Sequence, residues 1–439
     1  MNEWIIKEKF NLPDRWEILR LHDLTIQIVD GTHFTPNYLE SGVPFLRVTD
    51  IQSEKIDFTD LKFISIEEHE LLKLRCFPKK GDILISKNGS IGIIKIVDWD
   101  WEFSIFVSLA LIKTKKEIYN QYLKYLLQSD IIWWQIKLRS KQGTVTNLHL
   151  EEIRELEIPK PSITEQCKIA QILSTADAVI EKTQSVIAKY KAIKQGMLHD
   201  LFTRGIDITT GKLRPKYEDA PELYKESKLG WIPREWDDLQ IKDCIYPIMS
   251  NVDKHIKEDE TKIFLCNYMD VYSNRYLTKD ISFSIGSANA LEMQRFLLQV
   301  QDVIITKDSE TPDDIAVPTV LTEEIENLIC GYHLCILRSR DLNKLNGEFL
   351  MLQLQTHDIN KQFSIRANGS TRYGLTVNGI EDSFLKIPKD INEQIEIPKR
   401  LKSIDTKLQS EQTYLRKLQQ IKQGLMSDLL SGKKRLKLD

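Results

Sequence analysis

The sequence lacks the features that mark membrane and secreted proteins. It contains no run of 18 apolar residues, which argues against a membrane-spanning helix. Its six cysteines among 439 residues show neither close pairs nor framework spacing, so we expect them to be reduced. The first ten residues do not have the basic-then-apolar order of a secretory signal. These absences together predict a cytoplasmic protein.

Catalytic and metal-binding motifs are missing as well. None of the 14 prolines is followed by proline, so the Asp/Asn-Pro-Pro-Tyr core of an adenine methyltransferase is absent. No Gly-x4-Gly-Lys-Ser/Thr phosphate loop occurs, and the eight histidines include no pair spaced for zinc. The triplet Glu260-Thr261-Lys262 could end a metal-nuclease motif, but chance explains such triplets in a chain with 28% charged residues. We therefore predict a chain without catalytic residues or a metal site.

The charge balance excludes a uniformly basic protein. Lysine and arginine total 61 against 64 for aspartate and glutamate, which gives a formal net charge of −3. Binding to a nucleic acid would have to rely on local cationic patches.

What the sequence does have is a long internal repeat. Residues 165–201 align with residues 393–429 without a gap, and both copies open on Glu-Gln and carry Lys-Gln-Gly near the end. Apolar residues recur in both copies at a mean spacing of 3.5, which is typical of a coiled coil. We interpret the two copies as long antiparallel helices related by a pseudo-two-fold.

Polar residues interrupt the apolar stripe at matching steps. Thr183 matches Glu411, and Lys194 matches Lys422. Buried polar positions in such a stripe often fix the register of the helices. For the start of each helix we predict Thr164 or Asn392 as the residue that caps the free N–H groups.

The repeat continues outside the helices. Residues 45–51 match 265–271, and residues 81–87 match 301–307; these short β-branched runs predict strands. Residues 122–129 match 349–356 as a short amphipathic helix. The fold class is therefore α+β, with two similar α/β-mixed globules separated by two long antiparallel helices that form a coiled coil. The predicted boundaries are 1–160 for the first globule, 161–204 for the first long helix, 205–230 for a connector, 231–389 for the second globule, 390–431 for the second long helix and 432–439 for a C-terminal tail.

Loops in both globules combine glycine and small polar residues with cations and aromatics. Arg, Lys, Asn and Gln side chains can read base edges, whereas Ser, Thr and backbone N–H groups suit phosphates. The alternative for any one loop is an ordinary solvated surface, but Arg139 and Arg366 recur in register. The candidate DNA-binding residues are Thr32, His33, Arg47, Lys87, Asn88, Arg139, Lys141, Gln142, Thr144, Asn147, Lys307, Arg366, Asn368, Ser370, Arg372 and Tyr373.

With these motifs the sequence resembles the specificity subunits of type I restriction–modification systems over nearly its whole length. The markers are Leu-Pro-x-x-Trp at 12–16, Gly-Trp-Ile-Pro-x-x-Trp at 230–236, Gly-Asp-Ile-Leu-Ile-Ser at 81–86, the Ile-Pro…Glu-Gln helix entries and the Lys-Gln-Gly-Leu/Met helix endings. Gln301-Asp302 departs from the family's usual Gly-Asp, which puts that turn in question.

The resemblance implies that each globule is a target recognition domain that reads one half of a split double-stranded DNA site. It also implies that the helices dock two methyltransferase subunits and that motor-nuclease subunits join for cleavage. S-adenosylmethionine, ATP and Mg²⁺ would belong to those partners. Glycine inside a helix costs about 1 kcal/mol relative to alanine, so its repetition suggests a close backbone approach, either to a partner or within the helix pair. The candidate partner-binding residues are Lys194, Gln195, Gly196, Lys422, Gln423 and Gly424.

Two functions of other classes stay open from the residues alone. One is a single-chain enzyme that cleaves or methylates DNA through an unrecognised site. The other is a coiled-coil scaffold without DNA specificity. The bases of a target cannot be read from the loops, because the loops differ between the globules.

Overall fold

The computed structural model describes residues 3–53, 55–139 and 147–436. The chain divides into two compact units, one formed by Met1–Ser185 with Gln412–Asp439 and the other by Val186–Glu411. Each unit therefore holds one globule together with one half of each long helix.

The elements of the first half of the chain alternate short strands with short helices before one long helix. They are α1 (Glu3–Phe10), β1 (Glu17–Arg20), β2 (Thr25–Asp30), β3 (Val43–Leu46), β4 (Lys62–Ile64), α2 (Ile66–Lys73), β5 (Ile83–Ser86), β6 (Ile94–Ile96), β7 (Ser104–Ile105), β8 (Leu109–Thr114), α3 (Asn120–Leu127), α4 (Asp130–Arg139), α5 (Leu150–Arg154), β9 (Glu157–Lys160) and α6 (Ile163–Thr203).

The second half adds two small hairpins in the connector and then repeats this order. Its elements are β10 (Ile206–Asp207), β11 (Lys212–Leu213), β12 (Tyr224–Ser227), β13 (Gly230–Pro233), β14 (Trp236–Gln240), α7 (Ile241–Cys244), β15 (Ile245–Met249), β16 (Thr261–Cys266), α8 (Tyr268–Ser273), β17 (Tyr276–Leu277), β18 (Ser284–Ala288), α9 (Ala290–Phe296), β19 (Val303–Thr306), β20 (Asp308–Ser309), β21 (Pro318–Leu321), β22 (Leu328–Cys330), β23 (Leu334–Ser339), α10 (Gly347–Leu354), α11 (His357–Arg366), β24 (Tyr373–Gly374), α12 (Val377–Glu381), β25 (Phe384–Pro388) and α13 (Ile391–Leu430).

Both globules are built on the same two sheets. The larger sheet has the strand order β2-β8-β5-β6 in the first globule and β15-β23-β19-β21-β17 in the second. The smaller sheet is β4-β3-β7 or β18-β16-β22, and its central strand pairs antiparallel with one neighbour and parallel with the other in both globules. The pair β1–β9, or β14–β25, joins the start of each globule to its end. The predicted repeat of two α/β-mixed globules is confirmed.

The larger sheet of each globule carries the main core of its unit. The β-branched runs of β5 and β19 are fully buried, as their composition predicts. The core of the first unit extends onto the long helices at Leu173 and Leu429, and that of the second extends onto Leu201 and Leu401. Half of each long helix thus packs on the globule of its own unit.

The long helices pair in antiparallel fashion within each unit. In the first unit, Lys422 of α13 lies 2.5 Å from the Asp177 carboxylate of α6. In the second unit, Lys194 of α6 lies 2.7 Å from the Asp405 carboxylate of α13. The repeated Lys positions of the stripe therefore carry repeated ion pairs between the helices.

The glutamine of each Glu-Gln motif holds a loop of its globule. Gln166 accepts from the backbone N–H of Tyr119 at 2.8 Å and donates to the carbonyls of Glu117 and Pro161. Its repeat, Gln394, accepts from the Asn346 N–H at 2.9 Å. Both amides are fully buried, so all of these bonds are made away from water.

The remaining hydrogen bonds of Gln394 match those of Gln166 residue by residue. Gln394 donates at 2.8 Å to the carbonyls of Lys344 and Pro388, which correspond to Glu117 and Pro161. Each half of the chain therefore contains the same set of three hydrogen bonds from a buried glutamine, which we call the glutamine clamp.

The glutamate of the motif is also buried, but its partners come from different parts of the chain. Glu165 accepts from Arg15 at 3.1 Å and from the indole of Trp16 at 3.3 Å. Glu393 accepts from Arg214 of the connector at 2.6 Å and from the backbone N–H of Ile206. The first globule and the connector thus supply equivalent cations to equivalent carboxylates.

The predicted strand at 45–51, like its repeat at 265–271, ends earlier than expected. After Leu46 the chain turns into a 3₁₀ helix, because the Asp50 carboxylate accepts from the backbone N–H of Arg47 at 2.7 Å. Asp270 makes the same bond to Asn267 at the start of α8. An aspartate that bonds to a backbone N–H three residues earlier favours a helical turn over a strand.

The predicted helix caps also lie two residues too late. Helix α6 begins at Ile163, and Ser162 accepts from the backbone N–H of Glu165. Helix α13 begins at Ile391 after Asp390. Thr164 and Asn392 lie within the first turns instead.

The unusual Gln301 keeps the turn that glycine makes in the first globule. Gly81 and Gln301 both adopt a left-handed backbone, with φ of 91° and 74°. The side chain of Gln301 accepts from the backbone N–H of Gly347 at 2.7 Å. This bond offsets part of the cost of about 1–2 kcal/mol that a non-glycine residue meets there.

Removing the glutamine clamp should destabilise the fold. Gln394→Ala leaves the Asn346 N–H and two carbonyls without their partner, and each buried unsatisfied group costs about 1–3 kcal/mol. We expect the free energy of unfolding to fall by at least about 2 kcal/mol in urea titrations. Gln409→Ala, at an exposed position of the same helix, is the control. Equal stability of the two variants would contradict the clamp.

Candidate nucleic-acid interface

In the second globule, the end of β19 meets the loop that follows α11. Leu375 donates from its backbone N–H to the carbonyl of Lys307 at 2.9 Å, and strand β24 pairs with β20. The structure therefore brings the candidate Lys307 to a loop that is distant in sequence. This loop carries the candidates Asn368, Ser370, Arg372 and Tyr373.

A carboxylate organises the cations at this point. Asp308 pairs with Lys307 at 3.1 Å and with His333 at 2.7 Å. Burial raises the pKa of Asp308, but the hydrogen bonds from His333 and Lys307 outweigh it and hold the pKa below its usual range. Lys307 also lies 4.7 Å from the centre of the exposed Tyr332 ring, a cation–π contact.

The first globule anchors its corresponding loop in the same way. Leu148 donates from its backbone N–H to the carbonyl of Lys87 at 2.8 Å, and Asn88 bridges to Asn147. The candidates Lys141, Gln142 and Thr144 and the side chain of Arg139 lie outside the described residues.

Asp30 is the organising carboxylate of the first globule. It is almost fully buried and pairs with Lys87 at 3.2 Å, with His33 at 3.2 Å and with Arg75. Burial raises the pKa of Asp30, but the hydrogen bonds from Lys87 and His33 outweigh it, and the net pKa is lowered. His33 and Arg75 remain largely exposed, so a buried carboxylate fixes two surface donors.

Several candidates have their polar groups engaged inside the protein. Lys87 and Thr32 are each 6% exposed and hold the loops in this structure, and their contact with DNA stays a prediction. The Arg47 guanidinium makes two bonds to Asp50, at 2.9 and 3.0 Å. The Arg366 guanidinium donates to the carbonyls of Gln362 and Asp382.

The remaining described candidates are better placed for contact. His33, Asn147, Asn368, Ser370 and Arg372 are exposed, and Asn88 and Tyr373 are partly exposed. Sequence reasoning missed three residues beside them, Arg75, Tyr332 and His333. No local pattern marks these three residues, because only the pairing of distant segments brings them to the loops.

The helix-end candidates fall into two groups. Lys194 and Lys422 pair within the chain, as described above, which differs from the predicted role in partner binding. The side chains that follow them, Gln195 and Gln423, are exposed. They extend along the helix surface with the glycines of the motif.

The repeated glycines do not mark a tight crossing of the helices. A Cβ atom built on Gly196 or Gly424 would have no described atom within 4 Å. Ile193 and Ile421, three residues earlier on the same helix face, are 38% and 47% exposed. Each helix therefore presents an open glycine beside an exposed isoleucine near its C-terminal end.

Among the described residues, one group has the geometry of a metal site, namely His69, Glu70 and Glu102. The ammonium group of Lys73 lies 2.8–2.9 Å from both carboxylates. An internal cation thus already neutralises the group. In the described part of the chain, no helix has the length and apolar character needed to cross a membrane.

Comparison with known proteins connects these features to one family. The family model for the type I restriction modification DNA specificity domain matches residues 13–189. The putative type I restriction enzyme MjaX specificity subunit of Methanocaldococcus jannaschii is 26% identical over 97% of this chain and 95% of the relative. The MjaVIII specificity subunit of the same organism is 22% identical over 97% of this chain and 94% of the relative.

Solved structures show the same fold. The S subunit of a type I restriction–modification system from M. genitalium aligns with a TM-score of 0.55 and 16% identity, over 95% of this chain and 96% of that chain. A chain from a study of complex assembly and conformational transition of the type I system aligns with a TM-score of 0.54 and 16% identity, over 96% and 99% of the two chains.

Removing the Asp30 carboxylate should expose its structural role. Asp30→Asn leaves Lys87 buried without its carboxylate, so we expect the free energy of unfolding at neutral pH to fall by about 3–5 kcal/mol. Because the folded-state pKa of Asp30 is lowered, its contribution is present above the unfolded pKa of about 3.9 and is lost as pH falls through the folded pKa. The stability difference from wild type should therefore shrink in urea titrations between pH 7 and pH 3.

Asp100→Asn is the matched control, because its carboxylate is 79% exposed and pairs with the exposed Lys80. We expect a change within about 0.5 kcal/mol. The role of the Asp30 carboxylate would be contradicted if wild type and Asp30→Asn differed in free energy of unfolding by the same amount at every pH in this range.

Proposed function

We propose that the chain is a specificity subunit of a type I restriction–modification system, non-catalytic by itself, and that each of its globules reads one half of a split DNA target. The observation that carries the proposal is that both globules anchor a reading loop on the same backbone position, at Lys87 and Lys307. The anchors are equivalent, whereas the residues presented by the loops differ.

This combination favours an asymmetric target. The loop residues Lys141-Gln142-Gly143 of the first globule align with Asn368-Gly369-Ser370 of the second. Side chains that bond to base edges specify sequence, so different side chains on equal frameworks read different bases. The two half-sites should therefore differ, and the target should not be palindromic.

Exchange of the first globule tests this function. We would reconstitute the chain with its methyltransferase subunits and map methylated sites by sequencing. Replacing residues 1–158 with the first globule of another specificity subunit should change one half-site and leave the other and the gap unchanged. A change in both halves would contradict modular reading, and the absence of any specific site would favour a scaffold.

The helix ends support the docking of two copies of one partner. Each long helix presents an exposed isoleucine and an open glycine at matching positions, Ile193 with Gly196 and Ile421 with Gly424. Because the two surfaces are equivalent, two identical methyltransferase subunits would bind, one to each. Motor-nuclease subunits would join them, and S-adenosylmethionine, ATP and Mg²⁺ would be bound by these partners rather than by this chain.

Substitution of the glycines tests the docking surface. Gly196→Trp starts a large side chain at a Cβ position with no described atom within 4 Å, and tryptophan favours a helix more than glycine does, so we expect the variant to fold. We expect native mass spectrometry to show one bound methyltransferase subunit instead of two, and none for the double variant with Gly424→Trp. Two bound copies in the single variant would contradict this surface.

Lys191→Trp is the control, since this exposed residue points about 140° away on the same helix. It should retain two copies. Gly196→Ala should stabilise the isolated chain by about 1 kcal/mol, because alanine favours a helix and its Cβ atom meets no neighbour.

A further inference from the structure

A groove opens in the second globule beside the reading loop. It has a volume of about 430 Å³, which lies in the range of ligand-binding clefts. The side chains that line it include Asp253, Tyr268, Met269, Tyr332 and His333.

The groove is continuous with the cluster around Asp308. His333 bonds to Asp308 at 2.7 Å, and the Tyr332 ring receives the Lys307 ammonium at 4.7 Å. Tyr268, which also lines the groove, stacks on Tyr272 with ring centres 5.7 Å apart. Three of the lining side chains are therefore held by contacts within the protein.

The walls combine apolar side chains with charged groups of both signs, Asp253 and Lys254. Met269 and Tyr332 are 60% and 51% exposed, so both side chains are accessible to a ligand in the groove. Asp253 is exposed, and one of its oxygens accepts from the backbone N–H of His255. The carboxylate keeps further acceptor capacity, because each of its two oxygens has two lone pairs.

These groups match the major-groove edge of an A·T base pair. A thymine presents a C5-methyl group, which makes apolar contacts, and an adenine presents its N6 amino donor. A G·C pair also offers a carboxylate a donor, the N4 amino group of cytosine, but it has no methyl group, so the apolar contacts of Met269 and Tyr332 are what favours A·T.

The first globule does not repeat this chemistry. By the alignment of the two globules, His33 stands in place of Asp253, Thr49 in place of Met269 and Val107 in place of Tyr332. A donor thus replaces the acceptor, and smaller side chains replace the large walls. The preference for A·T should be confined to the half-site of the second globule.

We propose that this groove is a base-reading site of the second globule, in which Met269 and Tyr332 contact a thymine methyl group and Asp253 accepts from the N6 amino group of the paired adenine. The proposal rests on the proposed function, since it names the surface that reads the second half-site.

The test uses the complex of the full chain with its methyltransferase subunits. The half-site of the second globule is identified by exchange of the first globule, and each of its thymines is replaced in turn by deoxyuridine. Loss of one methyl contact should weaken binding by wild type about fourfold at one position. Met269→Ala and Tyr332→Ala should bind the thymine and uracil duplexes with equal affinity.

A second substitution tests the carboxylate. Replacing the paired adenine by purine, which lacks the N6 amino group, should weaken binding by wild type about tenfold. Asp253→Ala should no longer distinguish adenine from purine at this position while it still distinguishes thymine from uracil.

Tyr246→Ala is the matched control for Tyr332→Ala. Tyr246 is 49% exposed in the same globule and has its own cation–π contact, with Arg340 at 3.9 Å. This variant should keep the full sensitivity to both base changes. Thermal unfolding of all variants separates a folding defect from a loss of discrimination.

The outcomes separate the two proposals. If wild type binds a bipartite site but replacing each thymine of that half-site by deoxyuridine leaves the affinity unchanged, the groove is not a reading site. The same conclusion holds if Met269→Ala and Tyr332→Ala discriminate as well as Tyr246→Ala. If wild type binds no specific sequence, the proposed function itself fails.

Discussion

The structure depends on the buried Glu-Gln pair at the start of each long helix. The glutamine makes three hydrogen bonds to two segments of the globule. The glutamate carboxylate pairs with an arginine guanidinium. A buried carboxylate without its partner costs several kcal/mol, so these contacts fix where each helix leaves its globule. The exposed positions near the helix ends, and the loops beside the sheets, are defined relative to that junction.

The two units meet the same structural demands with residues from different places. Arg15 serves the first glutamate, whereas Arg214 serves the second. The loop carboxylates are also unrelated in sequence position, because Asp30 ends β2 and Asp308 follows β19. The repeat therefore preserves the backbone framework, whereas the carboxylates that hold the surface donors come from different positions in the two globules. An asymmetric DNA target requires different loop side chains on the same backbone framework.

The sequence predicted what the repeat determines and missed what tertiary contacts determine. The 3.5-residue period and the gapless offset were enough to predict the helices, and buried β-branched runs predicted β5 and β19. Spacing alone could not show that Lys87 is buried against Asp30, since both lie in segments that look like polar loop ends. It also could not reveal Tyr332, because this residue reaches the site through the pairing of distant strands. The helix caps were misplaced by two residues, since serine, threonine and asparagine near the start are all plausible caps until the backbone is known.

Ion pairs neutralise several of the candidate cations in a chain whose net charge is −3. Lys87, Arg47 and Lys307 are each paired with a carboxylate and are held in position rather than left free to attract phosphates. Sequence-independent affinity for DNA comes largely from cations that displace counterions at the phosphates. The neutralised cations contribute little to that general attraction, which exposed loop cations such as Arg372 would have to supply.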